Sequence, residues 1–379
     1  MAKAKKKIKI LIIGGTGFLG YHLAERCLEK KWDITIFSLN KPKKKRFLKK
    51  IKYIRGDISK IKSLKKIDKF YNYIVNFGGY VNHINKKEVY RSHVLGCKNL
   101  TKIFLNKNIK LFLQISSGEE YGKLKSPHDE NDFCKPKSIY GKAKNLATKH
   151  LLQKYKRNNF PCAILRLYQV FGKKQDLNRI IPFVIESCLF NKKFPCSSGK
   201  QFKDFINVEQ VIAAILKTLK NKNVKGEIIN IGSGKPIQIK KLIKMINNNI
   251  GKGEPNFGAI KSRNEENLKY FPRLRKANRL INWKPKGGRP QMAFEMVRKA
   301  LRDTNYSRVE WGTYRASDIG APHQRRRWFC LATCLDSEAL ETKQNHPIKR
   351  EVSNRKYGEY PYFGYTEYGK RINKSVTIP

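Results

Sequence analysis

A tyrosine and a lysine four residues apart are the clearest chemical signal in this sequence. On a helix, Tyr140 and Lys144 would present their side chains on one face. A phenol titrates near pH ~10, so it acts as a base at neutral pH only when a positive charge stabilises the phenolate. Lys144 can supply that charge. Ser117 adds a hydroxyl just after the apolar run 111–115, so the three residues predict an acid/base site at a sheet edge.

A glycine-rich turn near the start predicts a nucleotide-binding unit. The apolar run 8–13 is typical of a parallel strand buried on both faces. It leads into the motif GGTGFLG at 14–20, an amphipathic segment, and a second apolar run at 33–37. Glycines at 14, 17 and 20 allow a tight turn, close approach of a pyrophosphate and close helix packing. The helix N-terminus then faces the phosphates.

The remaining apolar runs complete an α/β pattern. They lie at 73–77, 111–115, 162–167 and 227–231, with helical patterns between them. This alternation predicts a Rossmann doubly wound parallel sheet with a smaller α/β substrate domain. We expect a dinucleotide-binding domain over 1–165 and a substrate domain over 166–286.

The end of the second strand bears on the choice of dinucleotide. An acidic residue usually accepts from the ribose 2′-hydroxyl there. Here Ser38, Leu39 and Asn40 are followed by the cations Lys41, Lys43, Lys44, Lys45 and Arg46. These residues favour NADP, whose 2′-phosphate would meet cations and no carboxylate. NAD stays open, because lysines occur throughout this region.

Together these features resemble the extended short-chain dehydrogenase/reductases, in particular the nucleotide-sugar epimerases and dehydratases, over residues 1–286. The matching motifs are GGTGFLG (14–20), GDI (56–58), NFGG (76–79), SSGEEYG (116–122), YGKAK (140–144), LRLYQVFG (165–172), FKDFINVEQ (202–210), NIGSGK (230–235) and NWKPK (282–286). Their order along the chain is that of the family, and they span nearly its whole length.

The resemblance implies a role for each matching residue. Tyr140 is implied as the acid/base, Ser117 as a partner of the reacting sugar oxygen, and Lys144 as the holder of the nicotinamide ribose. The implied cofactor contacts are Gly14, Gly17, Phe18, Leu19, Gly20, Ser38, Asp57, Ile58, Gly78, Gly79, Tyr140 and Lys144. The implied substrate contacts are Glu119, Gln169, Lys203 and Arg263. No metal site is expected.

Departures from the family pattern bear on the reaction. Gly118 and Glu119 stand where the dehydratase branch carries Asp-Glu, so elimination of water is disfavoured. Glu119 and Glu120 either contact the substrate or have a structural role. His93 replaces the usual asparagine, as a packed helical residue or as a functional substitution. We expect an NAD(P)-dependent reductase of a 4-keto nucleotide-diphosphate sugar. A nucleotide-sugar 4-epimerase is the alternative, and a non-catalytic nucleotide- or nucleic-acid-binding Rossmann protein is a second one.

The ratio of lysine to arginine changes near residue 287. Residues 1–286 contain 54 lysines and 11 arginines, whereas residues 287–379 contain six lysines and 11 arginines. Residues 314–329 resemble a motif of the DNA cytosine-5 methyltransferases, with His323, Arg325 and Arg327 in its polar places. A foreign α/β fragment is therefore expected over 287–335, and an irregular tail over 336–379. No second cofactor loop or suitable nucleophilic cysteine accompanies it, so methylation is not expected. Either a natural fusion or a joining artefact explains the change.

Composition limits location and partners. The net charge of +53 would ordinarily suggest nucleic acid, but lysines spread over nearly all of the first 286 residues favour solvated surfaces instead. No apolar run approaches the ~18 residues of a membrane span, and eight scattered cysteines form no CxxC pair. We expect a cytoplasmic protein that binds no membrane, with a nucleotide sugar as its partner. A homodimer is left open.

Overall fold

The computed structural model describes residues 7–68, 70–80, 85–261 and 267–286, and the backbone of four strands between 306 and 376. Residues 1–334 and 335–379 form two compact units. The predicted boundaries at 165 and 286 both fall inside the first unit, and they stay predictions.

A seven-stranded sheet is the centre of the first unit. Its strands are β1 (Lys9–Ile13), β2 (Asp33–Ser38), β3 (Lys52–Arg55), β4 (Tyr73–Asn76), β5 (Leu111–Ser117), β6 (Cys162–Leu167) and β11 (Ile228–Ile231). Their order is β11-β6-β5-β4-β1-β2-β3, and every neighbouring pair is parallel. The order reverses between β1 and β4, which opens a crevice at the carboxyl edge where ligands bind in such sheets. The predicted doubly wound sheet is confirmed.

Helices cover both faces of this sheet. Along the described part of the chain the helices, including α6 and α8 of the smaller region described below, are α1 (Phe18–Glu29), α2 (Ile61–Leu64), α3 (Lys86–Tyr90), α4 (Gly96–Phe104), α5 (Ile139–Asn158), α6 (Ile180–Leu189), α7 (Val208–Lys220), α8 (Ile239–Ile250) and α9 (Arg275–Ile281). Short 3₁₀ turns lie at Lys44–Arg46, Gly118–Tyr121 and Lys222–Val224, and a π-helical turn at Arg91–Leu95 joins α3 to α4. In β1, Ile10 and Ile12 pack into one apolar cluster, and Leu11 and Ile13 into another. This alternation is why the run is apolar throughout.

One strand of the sheet, β3, does not show the apolar run that predicts the other strands. β3 is a four-residue edge strand that begins and ends with exposed charged residues, Lys52 and Arg55. Its two central residues are only half-buried. Because it contributes little to the apolar core, it lacks the continuous apolar run that predicts the inner strands.

A smaller α/β region follows the sheet. It contains β7 (Gln169–Phe171), β8 (Lys193–Cys196), β9 (Phe202–Lys203), β10 (Phe205–Asn207), β12 (Ile237–Gln238), β13 (Glu254–Phe257) and β14 (Lys269–Tyr270). Helices α6 and α8 share a separate apolar cluster with residues of this region. The strands pair as β10–β7, β13–β8 and β12–β9–β14. The last pairing carries Tyr270 back towards the edge of the main sheet.

In the last part of the chain the structure describes two pairs of antiparallel strands. β15 (Tyr306–Arg315) pairs with β16 (Arg326–Cys334) in the first unit, and β17 (Tyr360–Tyr365) pairs with β18 (Arg371–Val376) in the second. Among the described residues, no helix is long and apolar enough to cross a membrane.

Candidate functional site

The start of α5 is fixed against the turn that follows β5. The Ser138 hydroxyl accepts from the Gly141 N–H at 3.0 Å and donates to Glu119 Oε2 at 3.1 Å. A Cβ added at Gly141 would lie 2.5 Å from the Glu119 carbonyl oxygen, so glycine permits this close approach. The fit places Tyr140, in the first turn of α5, beside the 3₁₀ turn Gly118–Tyr121.

Ser117, Tyr140 and Lys144 come together here, and we call this group the tyrosine edge. The Ser117 hydroxyl lies close enough to the phenols of Tyr140 and Tyr270 to lower the pKa of each, and it accepts from the Glu119 N–H at 3.2 Å. Lys144 Nζ lies 5.6 Å from the centroid of the Tyr140 ring and donates to the Ile115 carbonyl at 2.8 Å. The helical spacing therefore does put the phenol and the ammonium on one face of α5.

Burial governs the protonation of this group. It raises the pKa of the Tyr140 phenol, and the Glu119 carboxylate raises it further, whereas Arg179 acts in the opposite direction. Burial lowers the pKa of Lys144 to about 8, against the pull of Glu120. The expected lowering of the Tyr140 pKa by Lys144 is thus outweighed in this structure. The phenol is protonated at neutral pH and is an acid rather than a base.

A buried ion pair lies beneath the tyrosine edge. The Glu120 carboxylate, which is completely buried, accepts from Arg166 at 2.8 Å and from the Thr148 hydroxyl at 3.0 Å. The Ser116 hydroxyl also donates to it. The Arg166 guanidinium lies 4.6 Å from the centroid of the Tyr121 ring. Glu120 therefore joins β5, α5 and β6, and it serves the fold rather than the substrate.

His93 packs on the other side of Tyr140. It lies in the π-helical turn Arg91–Leu95, and its ring meets the Tyr140 ring edge-on, with centroids 5.1 Å apart. A Cβ at Gly79 would fall 1.8 Å from His93 Cε1, so this imidazole requires glycine there. His93 is therefore a packed helical residue, one of the two alternatives that the sequence leaves open. Its contact with Tyr140 is one that the sequence does not predict.

Tyr270 is a site residue that the sequence analysis missed. Its side chain is buried, and a Cβ on Gly118 would lie 2.6 Å from its hydroxyl oxygen. Lys203 Nζ, one of the expected substrate contacts, is 5.1 Å from the centroid of the Tyr270 ring. Tyr270 reaches the site only through the pairing of β14 with β9. No local pattern in the sequence signals that pairing.

The glycine turn has the shape expected of a dinucleotide cradle. Gly14 has φ +72°, and a Cβ there would lie 3.1 Å from the Gly78 nitrogen. A Cβ at Gly20 would lie 2.5 Å from the Gly15 Cα, so the helix can pack this closely only with glycine. α1 follows Gly17, which offers no side-chain cap. The N–H groups of its first turn, which includes Phe18 and Leu19, have no acceptor within the helix.

The other expected cofactor contacts surround the same crevice. Asp57 Oδ1 accepts from the Ser59 N–H at 2.8 Å, which shapes the turn after β3. A Cβ at Gly78 would lie 2.8 Å from Ile58 Cδ1, so this backbone also passes close to its neighbours. Ser38 Oγ accepts from the Thr16 N–H at 3.3 Å and ties the end of β2 to the glycine turn.

The cations after β2 are not arranged as expected. Residues 38–46, here called the β2 end, contribute Lys43 and Arg46 to one carboxylate, that of Asp176, at 2.9 and 3.0 Å. Arg46 is almost fully buried and also donates twice to the Lys174 carbonyl. Two of the five cations proposed to attract a 2′-phosphate are therefore already paired. The sequence does not reveal this, because Asp176 lies about 130 positions further along the chain.

The remaining expected residues fall in different places. Glu119 is at the tyrosine edge, where it accepts from Ser138. Gln169 is exposed at the start of β7. Arg263, His323 and Arg325 lie outside the described residues. Arg327 belongs to β16, opposite Tyr314. Within the described ranges, no group of three or more His, Cys, Asp or Glu side chains could hold a metal ion.

Comparisons with known proteins identify the family of this chain. Residues 10–232 match the model of the NAD dependent epimerase/dehydratase family, over more than half of the chain. A Methanocaldococcus jannaschii protein provisionally named UDP-glucose 4-epimerase is 30% identical over 289 residues, covering 73% of this chain and 93% of the relative. Mouse dTDP-D-glucose 4,6-dehydratase is 26% identical over 302 residues, covering 73% of this chain and 84% of the relative.

Solved structures share the fold. UDP-glucose 4-epimerase of Thermotoga maritima, solved with UDP-glucose, has a TM-score of 0.73 at 21% identity and covers 78% of this chain and 99% of that one. UDP-glucose 4-epimerase of Thermus thermophilus, solved with NAD, has a TM-score of 0.71 at 18% identity, covering 77% and 99%. Separately, residues 285–375 match the model of the C-5 cytosine-specific DNA methylases.

Proposed function

The chain belongs to the NAD dependent epimerase/dehydratase family, and we propose that it reduces a 4-keto sugar carried on a nucleoside diphosphate. The observation that carries this proposal is the grouping of Ser117, Tyr140 and Lys144, with Lys144 Nζ 5.6 Å from the centroid of the Tyr140 ring; burial beside Glu119 raises the pKa of the phenol, which favours its protonated form. A protonated phenol is the form that can donate to a carbonyl oxygen. The reductive direction therefore suits the site as it is built.

The crevice fits a nicotinamide dinucleotide. Gly14, with φ +72°, and Gly20, where a Cβ would lie 2.5 Å from the Gly15 Cα, leave no room for side chains at those two positions. The first turn of α1 would direct its N–H groups towards a pyrophosphate. Asp57, Ile58, Gly78 and Gly79 are the residues that would hold the adenosine and the middle of the molecule. When bound, the nicotinamide supplies or accepts the hydride.

The chain's own groups handle the proton and the orientation of the sugar. The Tyr140 phenol gives its proton to the sugar oxygen as the carbonyl becomes an alcohol. Ser117 donates a hydrogen bond to the same oxygen and polarises the carbonyl. Lys144 orients the nicotinamide ribose, and its charge stabilises the phenolate that proton donation leaves. Lys203 and Tyr270 border the sugar, and Arg263 is proposed to bind the diphosphate.

Epimerisation at C4 is the alternative. Tyr140 would first take the proton of the sugar 4-hydroxyl while the oxidised dinucleotide, when bound, accepts the hydride from C4. After the keto sugar turns over, the proton would return to the oxygen and the hydride to the opposite face of C4. The M. jannaschii relative and both solved structures carry epimerase names. Dehydration is less well supported, because Gly118 has no side chain with which to protonate a leaving hydroxyl.

For the dinucleotide we propose NADP, with NAD as the alternative. The β2 end has no carboxylate, and Lys41 and Lys44 are exposed there. Lys43 and Arg46 are already paired with Asp176, so they would bind a 2′-phosphate only by leaving that carboxylate. Solved relatives are described with NAD, so both forms belong in the test.

The test is a fluorescence titration with NADPH and NADH, followed by an absorbance assay with chemically made 4-keto nucleotide sugars. Loss of reduced dinucleotide absorbance with one product supports the reductase. Interconversion of two 4-epimers without net absorbance change identifies the epimerase. Failure of both dinucleotides to bind below millimolar concentration would overturn the proposal and favour a non-catalytic role.

We propose that residues 287–379 take no part in this chemistry. The motifs assigned to it end by Lys286, whose N–H donates to Gln210 Oε1. A chain ending near residue 305 should retain full activity. If that chain folds but is inactive, the methylase-like segment contributes to the site, with His323, Arg325 and Arg327 the first residues to substitute.

A homodimer in the cytoplasm is proposed with this activity. Tyr90, Leu95 and Leu146 are exposed apolar side chains on neighbouring helical segments, and a second copy could cover them. The free cysteines among the described residues fit a reducing compartment. Sedimentation at micromolar concentration would measure the association.

A further inference from the structure

The segment 173–176 is tied to the nucleotide-binding part of the molecule by several contacts. The Lys173 carbonyl lies 2.9 Å from His22 Nε2 in α1, and Lys174 Nζ donates to the Tyr21 hydroxyl at 2.5 Å. Arg46 donates to the Lys174 carbonyl at 3.0 and 2.6 Å. This segment therefore lies against both the start of α1 and the β2 end.

Asp176 is the charged residue of that segment, and it faces the cations of the β2 end. Its Oδ1 accepts from Lys43 at 2.9 Å, and its Oδ2 accepts from Arg46 at 3.0 Å. Partial burial alone would raise the pKa of this carboxyl, but the hydrogen bonds from Lys43 and Arg46 lower it overall. A negative charge is therefore present at the β2 end, supplied from a distant part of the chain.

That charge has opposite consequences for the two dinucleotides. A ribose 2′-hydroxyl is neutral and need not disturb the Asp176 contacts. A 2′-phosphate must either displace the Asp176 carboxylate from Lys43 and Arg46 or lie near it, and like charges repel. The cations attract the phosphate, while Asp176 competes for them.

We infer that Asp176 is a specificity-determining residue that weakens binding of the 2′-phosphorylated dinucleotide relative to the unphosphorylated one. The inference rests on the proposed dinucleotide site and assigns its selectivity to a residue outside the β2 end. It holds whichever form the wild-type protein prefers, because it concerns the ratio of the two affinities.

The experiment measures Kd for NADPH and NADH, by fluorescence, on the full chain and three variants. Asp176→Asn removes the charge and keeps the shape. Asp68→Asn is the matched control, because it frees an exposed lysine, Lys52, from an exposed carboxylate elsewhere on this domain. Lys43→Gln removes an exposed cation and poses little risk to folding.

We expect Asp176→Asn to shift the ratio of the two Kd values about fivefold towards NADPH, the size of one exposed or half-exposed charge interaction. Asp68→Asn should leave the ratio within about twofold of the wild-type value. Lys43→Gln should weaken the binding of NADPH and leave the Kd of NADH unchanged. If Asp176→Asn does not fold, the result for Lys43→Gln is the test.

Two failures are distinguishable. If the wild-type chain binds neither dinucleotide, the proposed function is wrong and this inference is overturned with it. If both bind, but Asp176→Asn leaves the ratio unchanged or moves it towards NADH, only the assignment of selectivity to Asp176 is wrong. If Asp176→Asn does not fold, an equal effect of Lys43→Gln on both dinucleotides leads to the same conclusion.

Discussion

Two arginine–carboxylate pairs support the two ends of this site, and they differ in their surroundings. Glu120–Arg166, beneath the tyrosine edge, has side chains 0% and 3% exposed, and two hydroxyl groups donate to the same carboxylate. Asp176–Arg46, at the β2 end, joins an almost buried guanidinium to a carboxylate that is 37% exposed. Water and solutes can therefore reach only the second carboxylate.

The difference teaches how a similar pair can serve two purposes. An ion pair removed from water cannot exchange partners without a large cost, because either charge alone would be unsolvated. Glu120–Arg166 therefore fixes the strand ends that carry Ser117. A pair with a half-exposed carboxylate is screened, and its partners can be replaced by another anion. That property suits a place where a phosphate would compete.

The largest effect is expected at the tyrosine edge itself. Tyr140→Phe should lower turnover about 10²–10⁴-fold, because it removes a group that transfers a proton in the transition state. Dinucleotide Kd should change little, since the ring remains. Tyr155→Phe, on the same helix but outside the site, is the control. Turnover of Tyr140→Phe within about twofold of the wild type would remove this phenol from the mechanism.

The next effect sharpens the comparison of the two pairs. Glu120→Gln should lower the free energy of unfolding by about 3–5 kcal/mol, because it leaves the Arg166 charge buried without a counter-charge. Glu88→Gln is the control, since Glu88 pairs with Arg91 and both side chains are about 40% exposed. Urea unfolding followed by circular dichroism measures both. If both variants lose the same free energy of unfolding, burial does not determine how much such a pair contributes to stability.

A smaller effect tests the burial of Lys144 through pH. Between pH 8 and 10.5 the folded protein holds fewer protons on Lys144 than the unfolded chain does, so stability should rise with pH in this window. This contribution is complete above about 10.5 and is lost as pH falls through about 8. Between pH 8 and 10, the free energy of unfolding of the wild type should rise by about 2 kcal/mol relative to that of Lys144→Met.

The control for that measurement is Lys142→Met, an exposed lysine two positions earlier on the same helix. The difference between wild type and Lys142→Met should stay constant over the same range of pH. Unfolding free energies from urea titrations at several pH values provide the comparison. Parallel curves for wild type and Lys144→Met would contradict the lowered pKa.

The sequence predicts the features that depend on neighbouring residues, and it does not predict those that depend on segments far apart in the chain. Six of the seven strands of the sheet, the glycine turn and the tyrosine edge depend on local patterns, namely apolar runs, a βαβ unit and an i, i+4 spacing. Tyr270 and Asp176 depend on pairings between segments far apart in the chain, which no local pattern encodes. The raised pKa of Tyr140 is not predicted either, because it depends on how the folded chain surrounds the phenol and on the position of the Glu119 carboxylate.

The smallest effect concerns the stability of the second pair. Asp176→Asn should lower the free energy of unfolding by less than about 1 kcal/mol, because the carboxylate is partly solvated and Arg46 keeps its two hydrogen bonds to the Lys174 carbonyl. Thermal and urea unfolding should both report a change close to that of Asp68→Asn. If Asp176→Asn changes stability little but shifts the ratio of dinucleotide affinities, Asp176 determines selectivity and does not stabilise the fold. A loss as large as that of Glu120→Gln would mean that both pairs are scaffolds, and the contrast between the two ends of the site would be lost.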